Sequence, residues 1–92
     1  IYCGKITNWF DRIGVAEISV ESVPVHRGDR LMVTGATTGV VEFDASDLRV
    51  NREAAEIAGK GVRCSVAVDP SICPDGKLRR GDKVFIWKEK QP

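Results

Sequence analysis

"VHRGDRLMV" at Val25–Val33 and "LRRGDKVFI" at Leu78–Ile86 carry the same tripeptide in the same setting. An apolar residue leads into each Arg-Gly-Asp (Val25 or Leu78), and an apolar run follows it: Leu31-Met32-Val33 in one copy, Val84-Phe85-Ile86 in the other. Gly28 and Gly81 allow the backbone to turn, and Asp29 and Asp82 can accept hydrogen bonds from nearby main-chain N–H groups before a strand begins. The doubled tripeptide therefore reads as two turn-into-strand corners of one β fold. As an adhesion signal it would need an extracellular protein, and the cysteines argue against that. Cys3, Cys64 and Cys73 are odd in number and form no C-x-x-C, a pattern of reduced thiols and a cytoplasmic location rather than a disulfide framework.

Working outward from the corners, short β-rich runs recur between Gly, Asp, Asn and Pro. "YCGKITNWF" and "IGVAEISV" flank Asp11-Arg12 as two antiparallel strands around a tight turn. In the second run Ala16, Ile18 and Val20 alternate with Val15, Glu17, Ser19 and Glu21, the period of a half-buried strand. "RLMVTG" and "ATTGVVEFDASDLRVN" follow, the latter starting a long strand at Thr37-Thr38-Gly39 with a bend at Asp44–Asp47. "REAAEIAGKG" holds the helix formers, and its length supports one short helical turn near 52–58, closed by Gly59. "VRCSVAV", a loop with the turn signal Pro74-Asp75-Gly76, and "DKVFIWK" complete the chain. Six strands without a βαβ rhythm predict an all-β, antiparallel-rich closed barrel, because closure removes exposed strand edges.

The chain's 92 residues suit one domain, 1–92. It starts at Ile1 without an initiator Met or a signal segment, so a domain cut from the C-terminal end of a longer protein is expected. No apolar run is long enough to cross a bilayer as a helix, and no membrane partner is expected. Charge is balanced overall but not along the chain. Residues 1–50 carry five basic and seven acidic groups, residues 51–92 nine and six. The late excess lies in Lys77, Arg79, Arg80, Lys83, Lys88 and Lys90, a local patch or the solvated face of the last strand.

Catalytic machinery is not legible. His26 has no nucleophile near it in sequence and reads as an exposed loop histidine. Neither "GATTGV" nor "AGKGV" has the spacing of a phosphate-binding loop, and no short chelating pair supports a metal site. Cys64, between Val62 and Val66, reads as a core residue; Cys73, beside Pro74, is expected at the surface. Phe85 and Trp87 share a strand face, where they would serve the core or stack on unpaired bases beside Lys83 and Lys88.

The ordered set "GKITNWFDRIGVAEISV", "VHRGDRLMVTGATTGVVEF", "GKGVRCSVAVD" and "RRGDKVFIW" resembles the small C-terminal β-barrel of peptidase family U32, the collagenase-like proteins. That domain is itself similar to the second, β-barrel domain of translation elongation factors. The loop Asp69–Gly81 is longer than the family pattern, and Cys73 has no counterpart role. The resemblance implies a translation-factor type of barrel that catalyses nothing by itself. The catalytic residues and any iron–sulfur cluster would belong to a preceding domain, with no cofactor or metal in this one. It further implies an accessory role, holding a macromolecular substrate, RNA such as tRNA or a protein, for which the late basic cluster with its neighbouring aromatic nominates Lys77, Arg79, Arg80, Lys83 and Trp87 as contacts. The alternative is a structural or interaction module that packs on its own catalytic domain or on a second copy. Gly28, Asp29, Gly81 and Asp82 would be structural turns.

Overall fold

A computed structural model describes residues 1–87. Ten strands follow one another: β1 (Tyr2–Phe10), β2 (Val15–Val20), β3 (Val25–His26), β4 (Arg30–Gly35), β5 (Gly39–Asp44), β6 (Leu48–Val50), β7 (Glu53–Ala54), β8 (Ile57–Ala58), β9 (Arg63–Ala67) and β10 (Lys83–Trp87). Eight of them form one antiparallel sheet in the order β5-β4-β10-β1-β2-β9-β6-β7, while β3 and β8 pair separately. The fold is all-β, with a single 3-10 turn, Pro70–Ile72, among the described residues.

The expected closed, six-stranded barrel is not what forms among the described residues. The large sheet ends at β5 on one side and β7 on the other, and the two ends do not pair. The chain breaks at Ala45–Asp47, the predicted bend, which carries it from β5 on one edge to β6 near the other. Ala45 is fully buried there and hydrogen-bonds the first Arg-Gly-Asp corner through both its N–H and its C=O. Strands from both ends of the sheet, Val41 and Phe43 of β5 and Leu48 of β6, still share one apolar cluster with Ile6, Ile18, Leu31, Val66 and Ile86. The sheet therefore wraps its core without joining its edges.

Alternation sorts the faces as the sequence predicts. Ala16, Ile18 and Val20 are buried while Val15, Glu17 and Ser19 are only half-buried. On β10, Val84 and Ile86 enter the core and Lys83, Phe85 and Trp87 point outward. The helical turn expected at 52–58 is replaced by β7 and β8. Asn51 and Arg52 both take positive φ (53° and 69°) in a two-residue hairpin turn between β6 and β7, and Ile57–Ala58 then pairs with Val25–His26. Ala58 is buried by that pairing. Long-range strand pairing outweighs the helix propensity of a segment too short to form a helix unaided. Cys73, expected at the surface, is buried at 5% exposure, capping the core with Leu78.

Candidate functional site

The two Arg-Gly-Asp corners have one hydrogen-bond frame. The Asp29 N–H donates to the His26 C=O at 3.0 Å, and the Asp82 N–H to the Arg79 C=O at 3.0 Å. In return, each Asp carboxylate accepts the main-chain N–H of that same residue, at 2.9 Å from His26 and 2.8 Å from Arg79. Gly28 and Gly81 sit at φ 90° and 91°, the left-handed conformation that the third position of a type II turn requires. Each corner then clasps a neighbouring segment on both sides. Gly28 N–H and Asp29 C=O bracket Ala45, and Gly81 N–H and Asp82 C=O bracket Ile6. Because β4 and β10 run antiparallel, the corners lie at opposite ends of the strand pair.

Their surroundings differ. Asp29 is partly exposed, and its further neighbour is His26 Nδ1 at 3.7 Å. Asp82 is buried at 7% exposure, and its Oδ2 also accepts the hydroxyl of fully buried Thr38 at 2.6 Å. A Cβ on Gly35 would collide with Asp82 Oδ1, so the glycine leaves room for the carboxylate. Arg79 donates to Asp75 at 2.7 Å and reaches Thr38 Oγ1 at 3.5 Å. The "GATTG" loop, which lacks the spacing of a phosphate-binding loop, folds onto the second corner through Thr38. Thr38 and Asp82 are the only buried polar side chains among the described residues, and they bond to each other.

Of the nominated contact residues, Arg79, Arg80 and Lys83 line one shallow depression, while Lys77 and Trp87 lie outside it. Arg79 is neutralised by Asp75 and belongs to this internal network. Arg80 and Lys83 are exposed and line the depression, of about 660 Å³, with Thr34–Thr37, Gly39 and Val40. Lys77 is exposed but lies outside that depression. Trp87 is 55% exposed at the far end of β10, opposite Arg30 and four strand residues from Lys83, about 13 Å. Lys88 and Lys90 lie outside the described residues. The aromatics serve the core less than expected, since among the described residues Phe43 is the one buried aromatic and Trp9 packs against the core while partly exposed. Tyr2 and Phe85 instead meet edge to face on the outer surface at 5.7 Å.

The cation that sequence reading misses is Lys5. It stands directly opposite Lys83 across β1 and β10, and Lys83 in turn faces Thr34. Continuing along the row, Lys5 faces Ser19 and Ser19 faces Arg63. Lys5 and Lys83 make no ion pair among the described residues, whereas Arg63 lies 3.8 Å from Glu17. Alternation places Lys5 on the polar face of β1, but no sequence signal pairs the first strand with the last.

Ionisation follows burial. Desolvation pushes the Cys3 thiol up to about 11 and the Cys64 thiol up to about 12, and raises Cys73 as well. The Ser71 N–H holds the Asp69 carboxyl below its usual range at the start of the 3-10 turn. Tyr2 is raised by desolvation and by its hydrogen bond to Glu21. Among the described residues, no three His, Cys, Asp or Glu side chains converge as a metal site would require.

This arrangement has close structural counterparts. The C-terminal domain of a Geobacillus thermoleovorans U32 peptidase superposes with a TM-score of 0.80 over 95% of this chain and 92% of that one, at 11% identity. Its selenomethionine variant superposes at 0.78. The chain has the fold of a U32 C-terminal domain. Sequence relatives agree: a collagenase of Porphyromonas gingivalis is 42% identical over 83 residues, 90% of this chain. An uncharacterized protease of Methanocaldococcus jannaschii is 33% identical over 89 residues, 97% of the chain. The chain spans about a fifth of the length of each of these curated relatives. No protein-family model matches it. In this U32-type domain no helix among the described residues is long and apolar enough to cross a membrane.

Proposed function

We propose that the chain is a non-catalytic accessory domain of a U32 peptidase-like enzyme and helps to hold a macromolecular substrate, RNA in the first instance. The observation behind this reading is the Lys5–Lys83 pair. Like charges directly opposite each other on a sheet destabilise it, and a bound polyanion relieves that cost. Arg80 lies at the corner leading into the same strand and adds a third exposed cation. Neutralising about three phosphates makes binding steeply salt-dependent.

The test is the fluorescence anisotropy of labelled tRNA titrated with this chain at low and at moderate salt. Affinity should fall roughly five-hundredfold for a tenfold rise in salt, from a slope of about 0.9 for each of about three phosphates contacted. Lys5→Glu should weaken binding further without loss of fold, because it turns the repulsive pair into an attractive one. Absence of salt-sensitive binding at low ionic strength would refute the RNA reading.

A second reading rests on a different part of the same face. Tyr2, Met32, Phe85 and Trp87 lie together on β1, β4 and β10, and acidic Glu21, Glu42 and Asp44 flank them. An aromatic centre with a charged rim suits packing against a protein surface, such as the enzyme's own catalytic domain, and repels nucleic acid. A Trp87→Ser substitution that weakens association with a separately produced catalytic domain, while leaving tRNA binding intact, would favour it.

A further inference from the structure

A separate groove lies further along the same outer sheet surface, where the Lys5–Ser19–Arg63 row reaches it at Arg63. It occupies about 840 Å³ on the outer side of β2, β9 and β6. Its floor is low because Ser65 and Ala67 of β9 carry small side chains. One wall is apolar: Phe10, 39% exposed, and Ile13, 70% exposed, stand at the β1–β2 end of the sheet. The opposite wall is cationic, made by Arg49 of β6 and Arg52 of the β6–β7 turn.

The charges of the groove are not balanced. Arg49 is paired with Asp47 at 3.1 Å, and Arg63 lies 3.8 Å from Glu17, whose carboxylate already accepts the Thr7 hydroxyl at 2.8 Å. Arg52 has no carboxylate partner among the described residues and is exposed. It also occupies the second position of a two-residue turn at φ 69°, where glycine is the favoured residue. A long cation is thus held in a costly backbone conformation at the rim of a groove that lacks one negative charge.

We infer that this groove is a docking site for an extended protein segment in which aliphatic and acidic residues alternate. The strand period of two sends successive side chains to opposite sides, so such a segment would set its aliphatic side chains against Phe10 and Ile13 and a carboxylate against Arg52. The occupant is a peptide and not a nucleic acid. Glu17 and Asp47 line the same groove, which opposes a continuous phosphate backbone but admits single carboxylates between them.

The probe is a fluorescein-labelled peptide of alternating Leu and Glu, about eight residues and so roughly 26 Å when extended. A Leu/Lys peptide of equal length is the control, and polyuridylate the competitor. The Leu/Glu peptide should bind, with amide shift changes in the 15N spectrum at Ile13, Arg52, Ser65 and Ala67. Arg52→Gly should weaken it roughly tenfold, the loss expected for one charge-assisted contact. Because glycine suits the turn, that variant should unfold no earlier than the original chain, which separates lost binding from lost fold. Ile13→Ser, at a largely exposed position, should weaken binding as well. Equal binding by Arg52→Gly, equal binding of the Leu/Lys peptide, shift changes on another face, or displacement by polyuridylate would each overturn the assignment.

Discussion

Truncating Asp82 and Asp29 to alanine asks the same question of two corners built alike. Asp82 Oδ2 takes two hydrogen bonds, from the Thr38 hydroxyl at 2.6 Å and from the Arg79 N–H at 2.8 Å, at a site of 7% exposure. Bonds to a charged acceptor are each worth about 1.5–3 kcal/mol, and a buried hydroxyl left without its acceptor adds to the loss. Relief of the carboxylate's own desolvation offsets part of this, so Asp82→Ala should cost about 3 kcal/mol. Asp29 makes one such main-chain bond, at 2.9 Å from His26 N, and stands partly in water that can replace it. Asp29→Ala should therefore cost about 1 kcal/mol.

Urea unfolding followed by tryptophan fluorescence reads the difference. With a slope of about 1 kcal/mol per molar urea, the midpoint should fall by about 3 M for Asp82→Ala and about 1 M for Asp29→Ala. Asp82→Asn keeps an oxygen able to accept both bonds without the charge, and should fall between the two. Equal losses at the two corners, or a loss below about 1 kcal/mol at Asp82, would refute the claim that the Thr38 contact and burial distinguish them.

Gly35→Ala places a methyl group on Asp82 Oδ1 and should destabilise the chain by about 2 kcal/mol; in an Asp82→Ala background that cost should shrink, a coupling read from a double-mutant cycle in urea. The thiols predict the alkaline limb of stability. With Cys3 at about 11 and Cys64 at about 12 in the fold, the unfolded chain, with thiols near 9, releases these protons first. Stability should hold below pH 9 and decline as pH rises towards 11 and 12, and Cys3→Ala/Cys64→Ala should flatten that decline. At pH 8, iodoacetamide should leave both cysteines unmodified until denaturant is added.

Strand positions and faces were legible because alternation is local: "VAEISV" buries every second residue wherever its partner strand lies. The turn chemistry of both Arg-Gly-Asp corners was legible for the same reason, since Gly and Asp act within four residues. Segment 52–58 was misread because its fate depends on pairing with Val25–His26, and Cys73 because a loop residue's burial depends on what the loop covers. The candidate site was legible only in part. Arg80 and Lys83 were visible as charges, but Lys5 gains its meaning from a partner at the far end of the chain.

Sequence alone determined the all-β class, the inward and outward faces of the strands and the two corners, all of which follow from backbone sterics and a period of two. Tertiary structure alone decided that the sheet stays open between β5 and β7, that Arg79 is spent on Asp75 while Lys5 joins Lys83, and that Arg52 overlooks a groove. These depend on which distant strands lie side by side. Charge repulsion, ion pairing and groove shape act through space over a few ångströms, and sequence separation carries no record of that distance. The two Arg-Gly-Asp corners illustrate both halves: identical letters make identical turns, and only the fold buries one aspartate against Thr38 and leaves the other partly exposed.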